Sequence, residues 1–273
     1  MRENVFKYLF RRSVASFKLW WLKLLWKALE LIGRSISWFK WQYRDNKAFR
    51  YFCIGIGCLS LAYMILNCVH TVMACDNLDV ITIDAGHGYN TSGKRAYDGS
   101  FREWEINDKI ARQIEETLEE CYGIEVVRVD DVTGNVDVSL QERLGRAVNL
   151  DSDLHLSIHN NSFGETAPNN ISGVETFYAH NNEDMKQLAT NIGDNLANST
   201  QRANRGAKST LDWNLFVPRE FDKANIDTVL IEGLNMNNDQ DIQYMLSSKY
   251  VNDYSESVVK AIVAQYKLIA KNR

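Results

Sequence analysis

The feature that most constrains this chain is an uncharged run from Phe52 to Ala74, FCIGIGCLSLAYMILNCVHTVMA, which holds no Asp, Glu, Lys or Arg. A helix crosses the hydrocarbon core of a bilayer with about 20 apolar residues, so the run reads as one transmembrane helix and not as a buried core helix. It also divides the charge. Residues 1–50 carry 12 lysines and arginines against 3 acids, and the remainder carries 19 against 32, although the whole chain is only -4. Arg44, Lys47 and Arg50 precede the run, and Asp76 and Asp79 follow it. The positive-inside rule then predicts three parts: a cytoplasmic leader (1–50), a membrane anchor (51–75) and an extracytoplasmic domain (76–273). The leader is far too long for the n-region of a cleavable signal, so an uncleaved signal anchor is expected. Val72-Met73-Ala74-Cys75 keeps open a lipoprotein site with Cys75 lipidated.

Within the leader, Ser16–Trp41 is rich in Trp, Leu and Phe but interrupted by Lys18, Lys23, Lys27 and Arg34. That pattern fits a basic amphipathic helix in the headgroup region, or a helix packed on a partner or on its own copy. Of the five cysteines only Cys121 lies well inside the outer domain, so no internal disulfide framework is expected there. The acidic outer region offers no basic footprint, and no nucleic-acid partner is expected.

The outer domain alternates strand-like and helix-like segments. Residues 79–84, 124–129, 153–158, 173–179 and 227–232 read as strands; 104–120, 139–150, 183–200 and 247–271 read as helices. Ile106, Ile110, Ile114 and Leu118 recur every four residues, as on the buried face of a helix. Ser139-Leu140-Gln141-Glu142 has the spacing of a capping box. The alternation predicts a single α/β domain, a twisted, mostly parallel or mixed sheet flanked by helices.

Three of these strands end in polar residues that a core does not need. VITID leads to Asp84 and then to His87, between two glycines; DLHLSI ends at His159; DTVLI ends at Glu232. If the three run parallel, their ends share one rim, where open α/β sheets bind ligands. Glu103, at the start of the next helix, adds a fourth group. Two histidines with one carboxylate form a ligand set of a catalytic zinc with a position open to water, and a second glutamate off the metal can serve as general base. Singly, each has a plainer reading: a surface histidine, a helix-start acid favoured by the helix dipole, a solvated strand end.

At these residues the sequence resembles the zinc-dependent N-acetylmuramoyl-L-alanine amidases of the type-3 class, from about Val80 to Tyr266. The motifs are Asp84-Ala85-Gly86-His87-Gly88, Glu103 with Asn107, Ser157-Ile158-His159-Asn160-Asn161, and Leu230-Ile231-Glu232 with Asn238. Arg143, GVETFY (173–178) and RGAK (205–208) are lesser echoes. The resemblance implies that His87, Glu103 and His159 bind Zn²⁺ and that Glu232 is catalytic. It implies a peptidoglycan hydrolase that cleaves the amide between N-acetylmuramic acid and L-alanine of the stem peptide. The loop YNTSGKRAYDGSFREW resembles a phage-lysin-like variant, and Leu234-Asn235 replaces the family's usual pair after the catalytic Glu. A zinc peptidase acting elsewhere in the wall, and an inactive amidase-like binding or regulatory protein, are the alternatives.

Overall fold

The computed structural model describes residues 26–28, 30, 31, 34, 59–61, 63, 64, 78–163 and 168–271. Backbone contacts divide the chain into two units, Met1–Cys75 and Asp76–Arg273. The described residues of the first unit are helical. Among the described residues no helix is long and apolar enough to cross a membrane. Apart from those few positions, the expected amphipathic leader and the 52–74 span lie outside the described residues.

The second unit is a six-stranded sheet with helices on both faces. In chain order its elements are β1 (Val80–Ala85), α1 (Glu103–Thr117), β2 (Glu125–Arg128), α2 (Leu140–Asn149), β3 (Leu154–Asn161), β4 (Val174–Tyr178) and α3 (Glu183–Thr200). They continue with β5 (Asn204–Ser209), α4 (Phe216–Lys223), β6 (Asp227–Asn235), α5 (Asp239–Met245) and α6 (Ser248–Gln265). The strand order is β2-β1-β3-β6-β4-β5. β2, β1, β3 and β6 run parallel, while β4 pairs antiparallel with β6 and parallel with β5. The sheet is therefore mixed. The three strands expected to share a rim are adjacent and parallel.

The two faces differ. On one, α1, α3 and α6 pack their apolar stripes against Ile81, Ile83, Leu154, Leu156, Val229 and Ile231. Ile106, Ile110, Ile114 and Leu118 are all buried there, as their spacing predicts. The other face has a smaller core, in which Phe221, Val217, Ala147, Phe177 and Leu230 meet under α2 and α4. Those helices are only 10 and 8 residues long. Side chains alternate across a strand, so Asp84, Ser157, His159, Glu232 and Glu175 share this thinly covered face. Their register links them: Asp84 pairs with Ser157, His159 with Glu232, and Glu175 with Glu232.

Several boundaries depart from the sequence reading. The first helix ends at Thr117 and continues as a π-helical turn over Leu118–Tyr122, closed by Gly123. The last helix stops at Gln265. β3 runs on through Asn161. The sequence pattern does not predict β5, α4 or α5, because each is short.

Candidate metal centre

His87 follows β1 directly. Gly86 N–H still bonds across the sheet to Ile158 O at 2.8 Å, and the chain then turns sharply, with His87 at φ 69. A non-glycine residue in the left-handed region costs roughly 1–2 kcal/mol. Arg143 opposes that cost. It is 2% exposed and donates from Nη2 to His87 O at 3.0 Å, from Nη1 to Ala85 O at 3.0 Å and from Nε to Val138 O at 2.9 Å. Charged hydrogen bonds are worth about 1.5–3 kcal/mol each, so this brace outweighs the strain. Arg143 is itself neutralised by Asp84 at 3.0 Å, which also accepts from Ser157 Oγ at 3.0 Å and faces His155 Nε2 at 3.2 Å.

Glu103 is the first residue of α1 and is 2% exposed. Its Oε1 lies 3.1 Å from His159 Nδ1 and accepts from Asn160 N–H at 3.2 Å and Asn107 Nδ2 at 3.4 Å. Its Oε2 lies 3.4 Å from His87 Nε2. The two imidazoles stand edge to face with centroids 4.9 Å apart. A donor atom from each of His87, Glu103 and His159 lies within 4.8 Å of the other two. Adjacent donors of a tetrahedral zinc lie roughly 3.4 Å apart, so this set fits Zn²⁺ in both chemistry and spacing. The cradle also needs Gly86. A Cβ there would stand 2.1 Å from His159 Cε1, so only glycine lets β1 approach the imidazole.

A second layer fixes this set. Asn160 Nδ2 donates to Asn107 Oδ1 at 2.8 Å, and Asn107 Nδ2 reaches Gly86 O at 3.4 Å. Tyr250 OH donates to Asn160 Oδ1 and accepts from Leu234 N–H. Tyr254 OH donates to Ile231 O at 3.0 Å and His159 O at 3.2 Å. Such outer partners orient metal ligands and set their affinity.

Glu105, the second acid in REWEIN (102–107), is engaged elsewhere: its Oε2 accepts from Arg102 N–H at 2.7 Å as part of the cap of α1. Asn238 caps α5, accepting from Asp241 N–H at 3.1 Å, and makes no bond to the ligand set. Glu232 stands opposite His159, and its Oε2 is sealed from solvent with no hydrogen-bond partner among the described residues.

Burial and neighbouring charges set the protonation of these groups. Burial pushes the His87 pKa down to about 4, so that ring is neutral at pH 7. Burial alone would raise Glu103, but the hydrogen bond with His159 and the positive charge of that ring outweigh it and hold its carboxyl below the ordinary value. His159 is raised, because Glu103, Glu232 and Asp84 overcome its burial. Glu232 is pushed up to about 7 by burial, with His159 opposing and Glu103 reinforcing.

Each residue singled out in the sequence therefore has a place: His87, Glu103 and His159 converge, and Glu232 flanks them. Sequence reasoning passes over His155, Tyr250 and Tyr254, and it finds Arg143 and Glu175 only within lesser echoes.

A mixed α/β sheet with two histidines and a glutamate at its strand ends, and a second glutamate beside them, places the chain among α/β hydrolases with a candidate metal centre. Residues 81–264 match the family model described as N-acetylmuramoyl-L-alanine amidase. The chain belongs to that family. It is 29% identical over 191 residues to N-acetylmuramoyl-L-alanine amidase LytC of Bacillus subtilis (strain 168), a match that covers 69% of this chain and 36% of LytC. This chain thus spans about a third of LytC's length. A second B. subtilis relative, the uncharacterised protein YqiI, is 28% identical over 213 residues, covering 76% of this chain and 96% of YqiI. Among solved structures, the catalytic domain of CwlV, an N-acetylmuramoyl-L-alanine amidase from Bacillus (Paenibacillus) polymyxa var. colistinus, superposes with TM-score 0.61 at 25% identity, covering 70% of this chain and 99% of that one.

Proposed function

We propose that the outer domain hydrolyses the amide joining the lactyl group of N-acetylmuramic acid to L-alanine of the peptidoglycan stem peptide. One observation carries this reading. The donors of His87, Glu103 and His159 lie within 4.8 Å of one another, beside the unpartnered Oε2 of Glu232, in a chain of the amidase family. In this reading those three residues hold Zn²⁺, and two neutral imidazoles with one carboxylate leave the cation net positive with a position open. Bound zinc supplies a Lewis acid that polarises the scissile carbonyl and acidifies the attacking water.

The chain's own residues supply the rest. Glu103 is held by Asn107 and the Asn160 N–H, which keeps it ionised and fixed as a ligand. Glu232 takes the proton of the attacking water. As the C–N bond breaks it gives a proton to the departing L-alanine nitrogen, leaving a carboxylic acid on the lactyl group. General acid–base catalysis of this kind is worth about 10² to 10⁴ in rate. A carboxyl raised by burial is suited to both transfers near neutral pH.

The uncharged 52–74 segment supports a single-pass anchor with residues 76–273 outside, next to the wall substrate. The test of function is digestion of purified peptidoglycan by the full chain. New L-alanine amino termini are expected. New termini of any other residue, without L-alanine, would identify a peptidase instead.

A further inference from the structure

Glu175 stands opposite Glu232 in the β4–β6 register. Two cations hold Glu175. Arg205 Nε and Lys208 Nζ both lie 2.6 Å from the same oxygen, Glu175 Oε1, while Asn161 Nδ2 donates to Oε2 at 3.1 Å. In an unbroken strand, residues three apart face opposite ways. Here the β4–β5 register shifts between Val174 and Thr176, and Gly206 takes φ 92. This bulge turns Arg205 and Lys208 to one side, the side of Glu232.

One cation suffices to neutralise Glu175. Among the described residues neither Arg205 nor Lys208 bridges a second carboxylate, so against Glu175 alone the pair carries one positive charge in excess. That charge is not sealed: the two side chains are 29% and 23% exposed. Aromatic faces flank it, with Lys208 Nζ 4.9 Å from the Trp213 centroid and the Arg205 guanidinium 4.5 Å from that of Phe163. Trp213 itself is 48% exposed. A fixed, half-open cation between ring faces is prepared to receive an anion, since charge-assisted bonds are strongest where the donors are already placed.

We infer that Arg205, Lys208 and Trp213 form a carboxylate-binding ledge that seats the peptide half of the substrate. The inference rests on the amidase reading above. In that substrate the lactyl carboxyl is consumed in the scissile amide, so the free carboxylates nearby belong to the peptide and the sugar next to the bond is neutral. The reach agrees. β5 lies two strand spacings from β6, roughly 10 Å, and three extended residues span at most about 10 Å. The ledge thus meets a carboxylate within the first three residues of the stem, and the glycan lies on the opposite side, toward β1.

The test uses binding, which does not depend on turnover. In a Glu232→Gln background of the full chain, N-acetylmuramoyl-L-alanyl-D-glutamate and its diamide are titrated separately by calorimetry at low salt. The acid is expected to bind about tenfold tighter than the diamide, as one charged contact implies. Lys208→Met and Arg205→Met should each cut that preference to within about twofold and leave diamide binding unchanged. Thermal melts check that each variant folds, and if one does not, the other variant and the salt dependence of acid binding read the same charge. Equal affinity for acid and diamide, no measurable binding of the acid, or a preference that survives both substitutions overturns the ledge. Turnover is read separately on the unsubstituted Glu232 chain: an acid preference without cleavage would sink the amidase reading and leave the ledge standing.

Discussion

His159 and Glu232 face each other in register on the adjacent parallel strands β3 and β6. They share a face and a depth but not a partner. His159 turns Nδ1 to Glu103 at 3.1 Å, whereas Glu232 leaves Oε2 sealed and unpaired. In the proposed reaction that asymmetry separates a ligand from a base at positions that otherwise look equivalent.

The close approach of β1 to His159 makes Gly86→Ala informative. The added methyl would stand 2.1 Å from the imidazole and must displace a proposed ligand. Zinc affinity should fall by about 10- to 100-fold, the usual consequence of misorienting a ligand, as read by competition with a chelator. Unchanged affinity would mean that His159 does not bind in this position.

The two acids of REWEIN should separate. Glu103→Ala is expected to lose most of the zinc. Glu105→Ala should keep it and lose about 1 kcal/mol of stability, because it removes a helix-cap contact. Metal analysis with urea unfolding distinguishes the two, and the reverse pattern would exchange their roles.

Much of this site is legible in the sequence because polar residues interrupt apolar strands. An alternating strand such as VITID has no packing use for Asp84 or for a glycine-flanked histidine after it. The legibility ends where a residue's partner is fixed only by tertiary contact. Arg143 sits on a helix with the ordinary look of a solvated arginine, yet it is buried under His87. Tyr250 and Tyr254 repeat at helical spacing, as core residues do, and their hydroxyls reach the Asn160 and His159 region only in the fold. NRGAKS has no apolar alternation, so its pattern hides β5, and with it the cations on Glu175.

Asp84 supplies a pH prediction. Burial opposes its ionisation, but Arg143 and His155 outweigh burial and hold its carboxyl well below the ordinary carboxylate range. A carboxyl depressed by folding gives stability that is fully present above its unfolded pKa and is lost as pH falls below it. Asp84→Asn should therefore cost about 3 kcal/mol at pH 7, as expected for leaving a buried arginine short of its partner. The gap to wild type should narrow as pH falls below the ordinary value of 3.8. Unfolding titrations between neutral and acid pH measure it, and a gap that stays constant would remove Asp84 from the pair.

The anchor is tested by access. Protease added to intact spheroplasts should remove residues 76–273 and spare the basic leader, as the charge bias across 52–74 requires. Full protection of the outer domain in unlysed spheroplasts would place it on the other side.

In the proposed reaction Glu232 does the proton chemistry and not the metal binding. Glutamine keeps its shape but cannot take a proton. Zinc content and peptidoglycan turnover should therefore be measured together on Glu232→Gln. About one zinc per chain is expected, as the three proposed ligands imply, with turnover down by at least about a hundredfold. Loss of zinc together with activity would make Glu232 a ligand, and near-normal turnover with zinc retained would contradict its role as the base.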